Sequence, residues 1–163
     1  MSDYLEVTCR LGSAVLIGCV IGLDRNLRGK PSGMKTLGLV AMGASLVTMA
    51  SLDFDFPPAA HDGAAVSRVI QGIITGIGFL GAGVIIHERD SGRVRGLTTA
   101  ASIWVTAAIG IVCGLGAWQI AGIATLIVLA LFLIGRPLER MLHRRWMGKS
   151  DDERASIDHL EEE

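Results

Sequence analysis

The chain has 163 residues, half of them apolar and 19% charged, with a formal net charge of −1 and a mean hydropathy of +0.49. Soluble domains of this size carry charge on about a quarter of their residues, so this balance excludes an ordinary water-soluble domain. The charges are also clustered: no Asp, Glu, Lys, Arg or His occurs at 11–23, 36–52, 69–86 or 96–135. About 20 helical residues cross a hydrocarbon core roughly 30 Å thick. The spacing therefore predicts an all-α membrane protein, a compact bundle of five spans at about 4–23, 36–52, 68–86, 97–113 and 117–135.

The first span reaches 20 residues only if Glu6 and Arg10 are included. They stand four apart on one helix face and can partly neutralise each other. Its first nine residues hold Asp3 and Glu6 but no Lys or Arg, so a cleaved signal peptide, which needs a basic start, is not expected. Gly18 and Gly22, extended backwards by Ala14, form a small-residue face suited to close helix packing. Cys9, Cys19 and Cys113 all fall inside spans, form no ligand cluster, and read as small core residues.

The loop 24–35 opens with "DRNLRGKP". A phosphate-binding loop would need Gly where Asp24 stands and Ser or Thr where Pro31 stands, so that chemistry is not expected. After the second span, the loop "SLDFDFPPAAHDG" brings Asp53, Asp55, His61 and Asp62 into one short stretch. Oxygen ligands suit magnesium, but the stretch reads as a solvated acidic loop, and no metal site is assigned.

The third span contains "GIGFLG" at 76–81, a formal match to the dinucleotide fingerprint. That fingerprint requires a preceding strand, a following amphipathic helix and an acid about 20 residues on. The positions about 20 residues on read "TTAASI", with no acid, so no nucleotide cofactor is expected. Gly72, Gly76 and Gly83 share a helix face and are expected to pack against other helices of the bundle, as are Gly110 and Gly114 in the fourth span. Arg68 and Gln71 open the third span at a depth similar to Glu6 and Arg10, so either Glu6–Arg68 or Glu6–Arg10 can pair. These four form either a polar pocket or ion path, or simple interfacial contacts. The 40-residue uncharged run 96–135 is about 60 Å long as one helix, so it must break, and "CGLGAWQ" supplies the turn with Trp118 at the interface.

Residues 136–150, "RPLERMLHRRWMGK" with Ser150, place Leu138, Met141, Leu142 and Trp146 against a basic face. This reads as an interfacial helix; the plainer alternative is an extension of the fifth span. Residues 151–163 hold seven acids and one arginine and read as a disordered tail. Basic residues in the successive connections number 4, 0, 3, 0 and 5. The positive-inside rule then puts the N-terminus outside and the C-terminus in the cytoplasm.

Three stretches, "GLDRNLRGKPSGMKTLGLVAMGAS" (22–45), "RVIQGIITGIGFLGAGVII" (68–86) and "VRGLTTAASIWVTAAIGIVCGLG" (94–116), closely resemble the MgtC/SapB family of bacterial inner-membrane proteins. The resemblance covers about 10–140. It implies a five-helix membrane domain at 1–135, association with growth under magnesium limitation and survival inside host cells, and, for some members, restraint of the F-type ATP synthase. Many members add a cytoplasmic ACT-like domain, for which this sequence is too short. Thr98 and Val105 stand where some virulence-associated members have Asn and Cys. The resemblance also marks Asp24, Arg25, Arg28, Gly29, Lys30 and Pro31 as family positions. With Arg93 and Arg95 they are expected to form a cytoplasmic face that docks a partner, or else to serve only as topology signals.

No nucleophile–base pair stands out, and the middles of the spans lack acids. The expectation is a non-catalytic regulatory membrane protein acting through another membrane complex, with the lipid bilayer as its environment, no nucleic-acid partner, and a homodimer as its assembly. The alternative is a transporter or channel for magnesium or another ion.

Overall fold

The computed structural model describes residues 2–53, 63–87 and 94–147. It contains five helices, α1 (Ser2–Leu27), α2 (Met34–Asp53), α3 (Gly63–Val84), α4 (Leu97–Gly114) and α5 (Trp118–Met147), all long and apolar enough to cross a membrane. A two-residue antiparallel ladder, β1 (Ile86–His87) with β2 (Val94–Arg95), pairs Ile86 with Arg95 and His87 with Val94. The third span was expected to stay helical to 86, but α3 stops at Val84. Gly96 explains the break: at φ 92° its backbone lies against the Val84 carbonyl, where a Cβ would overlap that oxygen.

The chain divides into two compact units, 1–126 and 127–163. In the first, α2 lies between α1 and α4. Gly18 and Gly22 let α1 approach α2 so closely that an added Cβ would come within 2.5 Å of Leu37 O and of Met34 Cα. On the other side, a Cβ at Gly110 would overlap the Ala41 carbonyl, and one at Gly114 would come within 2.7 Å of Ser45 O. Contact at backbone distance maximises dispersion where lipid offers no hydrophobic drive. The partners of these glycines show α1 antiparallel to α2 and α2 parallel to α4.

On α3 the expectation is corrected. Among the described residues nothing within 4 Å would meet a Cβ at Gly72, Gly76 or Gly83, so no close helix contact forms at these glycines. Instead α3 presents Ile70, Ile73, Ile74 and Ile77 to the core of Ala44, Ala107 and Ile111, and Gly81 meets Ala100. The branched side chains bury more area than glycine can, so they take the core contacts and leave Gly72 and Gly76 beside them without close contact. Cys113 is buried, Cys19 half-buried and Cys9 exposed, so the reading of all three as core residues fails at Cys9.

α5 runs unbroken to Met147 with Pro137 inside it, so what was expected as a separate basic helix at 136–150 continues the fifth helix as far as it is described. The tail 151–163 and the acidic loop with Asp55, His61 and Asp62 lie outside the described residues.

Candidate functional site

α1 ends in a Schellman motif, the double hydrogen bond that closes a helix C-terminus on a left-handed residue. Gly29, at φ 61°, is that residue: its N–H bonds to Asn26 O at 3.0 Å, and Lys30 N–H reaches Arg25 O at 3.0 Å. Pro31, which cannot continue the helix, follows. Ser32 takes a positive φ of 61°, uncommon for a residue with a Cβ. Gly33 then sits so tightly on the Asn26 side chain that a Cβ would overlap it, and its carbonyl accepts the Leu37 N–H that starts α2.

The loop is shaped this way because its carbonyls converge on Arg25. Arg25 Nε donates to Pro31 O (3.2 Å) and Ser32 O (3.3 Å), and Nη2 donates to Pro31 O (2.9 Å). The same guanidinium reaches into α4, donating to Thr99 Oγ1 at 2.6 Å and Ser102 Oγ at 2.8 Å. Ser102 passes the chain on to Thr98 O at 2.6 Å. Arg25 is only 3% exposed. A buried cation is costly unless its donors are satisfied, and here neutral oxygens satisfy them. A helix N-terminus repels a cation, so the two hydroxyls also shield Arg25 from the first turns of α4. Arg25 was expected on the docking face; the structure corrects this, because a side chain so buried and so fully engaged cannot meet a partner.

Asp24, at the C-terminal end of α1 where the helix dipole disfavours a carboxylate, has its compensating cation one turn on. Arg28 donates from Nε at 2.9 Å and Nη2 at 2.6 Å to Asp24 Oδ1, and both side chains are about one-fifth exposed. Lys30 is exposed on the loop and Arg95 is exposed on β2. Arg93 lies outside the described residues. The loop end of the bundle thus presents an ordered Asp24–Arg28 pair and Lys30 above a buried arginine.

The opposite end of α1 is built on a related plan. α4 also closes in a Schellman motif, with Gly116 at φ 75°, its N–H on Cys113 O (2.9 Å), and Ala117 N–H on Val112 O (3.1 Å). Arg10 caps it, donating from Nη1 to Gly114 O at 2.6 Å and from Nη2 to Glu6. Of the two pairings considered for Glu6, Arg10 is therefore the one bonded to it. Arg68 and Gln71 are exposed on α3. Between the two arginines, the buried face of α4 carries Thr106, whose hydroxyl, like Arg10 Nε, has no hydrogen-bond partner among the described residues. Among the described residues no three His, Cys, Asp or Glu side chains gather as a metal site.

Sequence reasoning missed Thr99 and Ser102. The only signal was their spacing, three apart among the four small hydroxyls, Thr98, Thr99, Ser102 and Thr106, of an uncharged span.

The model of the MgtC family matches residues 11–141. Protein SrpB of Synechococcus elongatus is 44% identical over 91% of this chain and 83% of its own length. Protein MgtC of Brucella abortus is 39% identical over 81% of this chain and 52% of its own length. Protein MgtC of Salmonella typhimurium is 38% identical over 81% of this chain and 53% of its own length. The chain thus spans most of SrpB but about half of these two MgtC proteins. No solved structure matches.

Proposed function

The chain belongs to the MgtC family of multi-pass membrane proteins, and from that premise we propose that it is a non-catalytic regulator of the bacterial inner membrane, supporting growth at low magnesium by docking another membrane complex. The F-type ATP synthase is the partner that the family resemblance suggests. In this reading the α1–α2 loop faces the cytoplasm, in keeping with its four basic residues and the uncharged turn at 115–117. The observation that carries the proposal is the order of that loop. A topology signal requires only nearby Lys or Arg. This loop has two residues at positive φ and three hydrogen bonds from a buried guanidinium to the carbonyls of Pro31 and Ser32. Such pre-organisation lowers the entropy lost when a partner binds.

Arg28→Lys and Lys30→Arg keep the positive charge, so both insert normally. Complementation of a deletion strain at low magnesium is expected to fall for both, because a guanidinium fork and an ammonium are not equivalent. Asp24→Asn should act likewise by releasing Arg28. Full complementation by all three would reduce the loop to a topology signal.

Ion transport is the second reading, favoured by the buried Thr106 hydroxyl and Arg10 Nε, which have no hydrogen-bond partner among the described residues. Flux of magnesium into liposomes holding the purified protein would support it. The backbone contacts that join α2 to α1 and α4 leave little room for an ion between them.

A further inference from the structure

The α2–α3 side of the first unit is open. A groove of about 570 Å³ runs along it, lined by Lys35, Leu39, Gly43, Gly72, Gly76 and Leu80 among others. On α2 the lining begins at Lys35 and ends at Val47; 12 residue steps make about 18 Å at 1.5 Å each. That is a little over half of a hydrocarbon core roughly 30 Å thick, so the groove begins at the polar edge of the span and ends near its middle, the depth of one leaflet. Its lining is apolar beyond Lys35 and Thr36, and Gly43, Gly72 and Gly76 open it, since nothing within 4 Å would meet a Cβ at any of them.

The dimensions discriminate between occupants. A transmembrane helix crosses the whole core of about 30 Å, whereas the groove ends near its middle. A flexible hydrocarbon chain is thinner and conforms to the floor. The mouth adds charge: Lys35 is exposed, has no ion-pair partner among the described residues, and lies in the first turn of α2, where the helix dipole also favours an anion.

We propose that this groove holds one acyl chain of an anionic phospholipid from the leaflet on the α1–α2 loop side, with its phosphate paired to Lys35. Only the naming of that leaflet as cytoplasmic rests on the orientation proposed above. The test is native mass spectrometry of the purified full chain after exchange into equal mixtures of phosphatidylglycerol and phosphatidylcholine. The wild type is expected to retain one phosphatidylglycerol in about fivefold preference, the scale of one lysine near an anionic headgroup. Lys35→Gln should lose the preference while still holding a lipid, and Lys35→Arg should keep it. Gly76→Leu should fold, since its side chain enters open space, and should lose the retained lipid of either headgroup. Equal retention of the two lipids by the wild type, or an unchanged lipid count in Gly76→Leu, overturns the proposal. A dimeric wild type made monomeric by Gly76→Leu with no change in lipid would assign the groove to a second copy instead.

Discussion

α1 carries two arginines 15 residues apart, and each holds one end of α4, yet the two ends are made differently. The separation is about 22 Å along the helix, less than a hydrocarbon thickness of about 30 Å, so both guanidinium groups need partners supplied by protein. Arg10 has an acid, Glu6, and a helix C-terminus that favours a cation. Among the described residues no acid is bonded to Arg25, though Asp24 stands beside it, and it faces a helix N-terminus that does not favour it. It is held instead by four neutral oxygens drawn from α4 and the folded-back loop. Charge neutralisation tolerates loose geometry, whereas satisfying a cation with neutral dipoles requires each to be placed. The Arg25 end is therefore the more sharply shaped, and there the connecting loop is ordered around it.

The comparison breaks most visibly at Arg25 itself. Arg25→Met removes the donors and strands the hydroxyls and carbonyls, with an expected loss of about 3 kcal/mol, read as a fall in the unfolding midpoint in detergent. Arg10→Met should cost less, about 1–2 kcal/mol, because it is partly exposed and Glu6 can turn to water. Equal losses at the two ends would mean that neutral acceptors and an acid do the same work here.

A finer test concerns the hydroxyls. Ser102→Ala is expected to cost about 1 kcal/mol and to raise protease cleavage within 28–33, while Thr106→Val, which removes an unpartnered hydroxyl at similar volume, should be neutral or slightly stabilising. A large loss at Thr106 would reveal a bonding partner. Gly29→Ala should cost about 1 kcal/mol through the left-handed C-terminal residue of α1, and Gly116→Ala at least as much, because its Cβ also meets Arg10 at 3.1 Å. Smallest should be Glu6→Gln, a few tenths of a kcal/mol for a partly exposed ion pair, measured as a change in the salt dependence of the midpoint.

The glycines separate what was legible in the chain from what was not. Gly18, Gly22, Gly110 and Gly114 could be read as close-packing positions from four-residue spacing alone, and each lies at backbone distance from α2. The same spacing at Gly72 and Gly76 meant something else, because the isoleucines between them took the core face. Spacing shows which residues share a face but not which face turns inward. That Asp24 needs a cation follows from its place at a helix end, but which arginine supplies it came only from the structure, as did the role of Arg25, whose partners Thr99 and Ser102 are more than 70 residues away.

By itself the sequence determined the five spans, since lipid requires each crossing to satisfy its own backbone and to be apolar over a set length. It also determined the family, through its motifs in order, and the break in the run 96–135 at "CGLGAWQ", whereas the extension of α1 to Leu27 and its left-handed close at Gly29 came from the structure. The tertiary structure alone decided that Arg25 is internal, that α3 turns its isoleucines inward, and that a groove stays open beside Lys35. Those outcomes depend on which helix lies beside which. That is set by the shapes of side chains distant in sequence, and no local pattern encodes it.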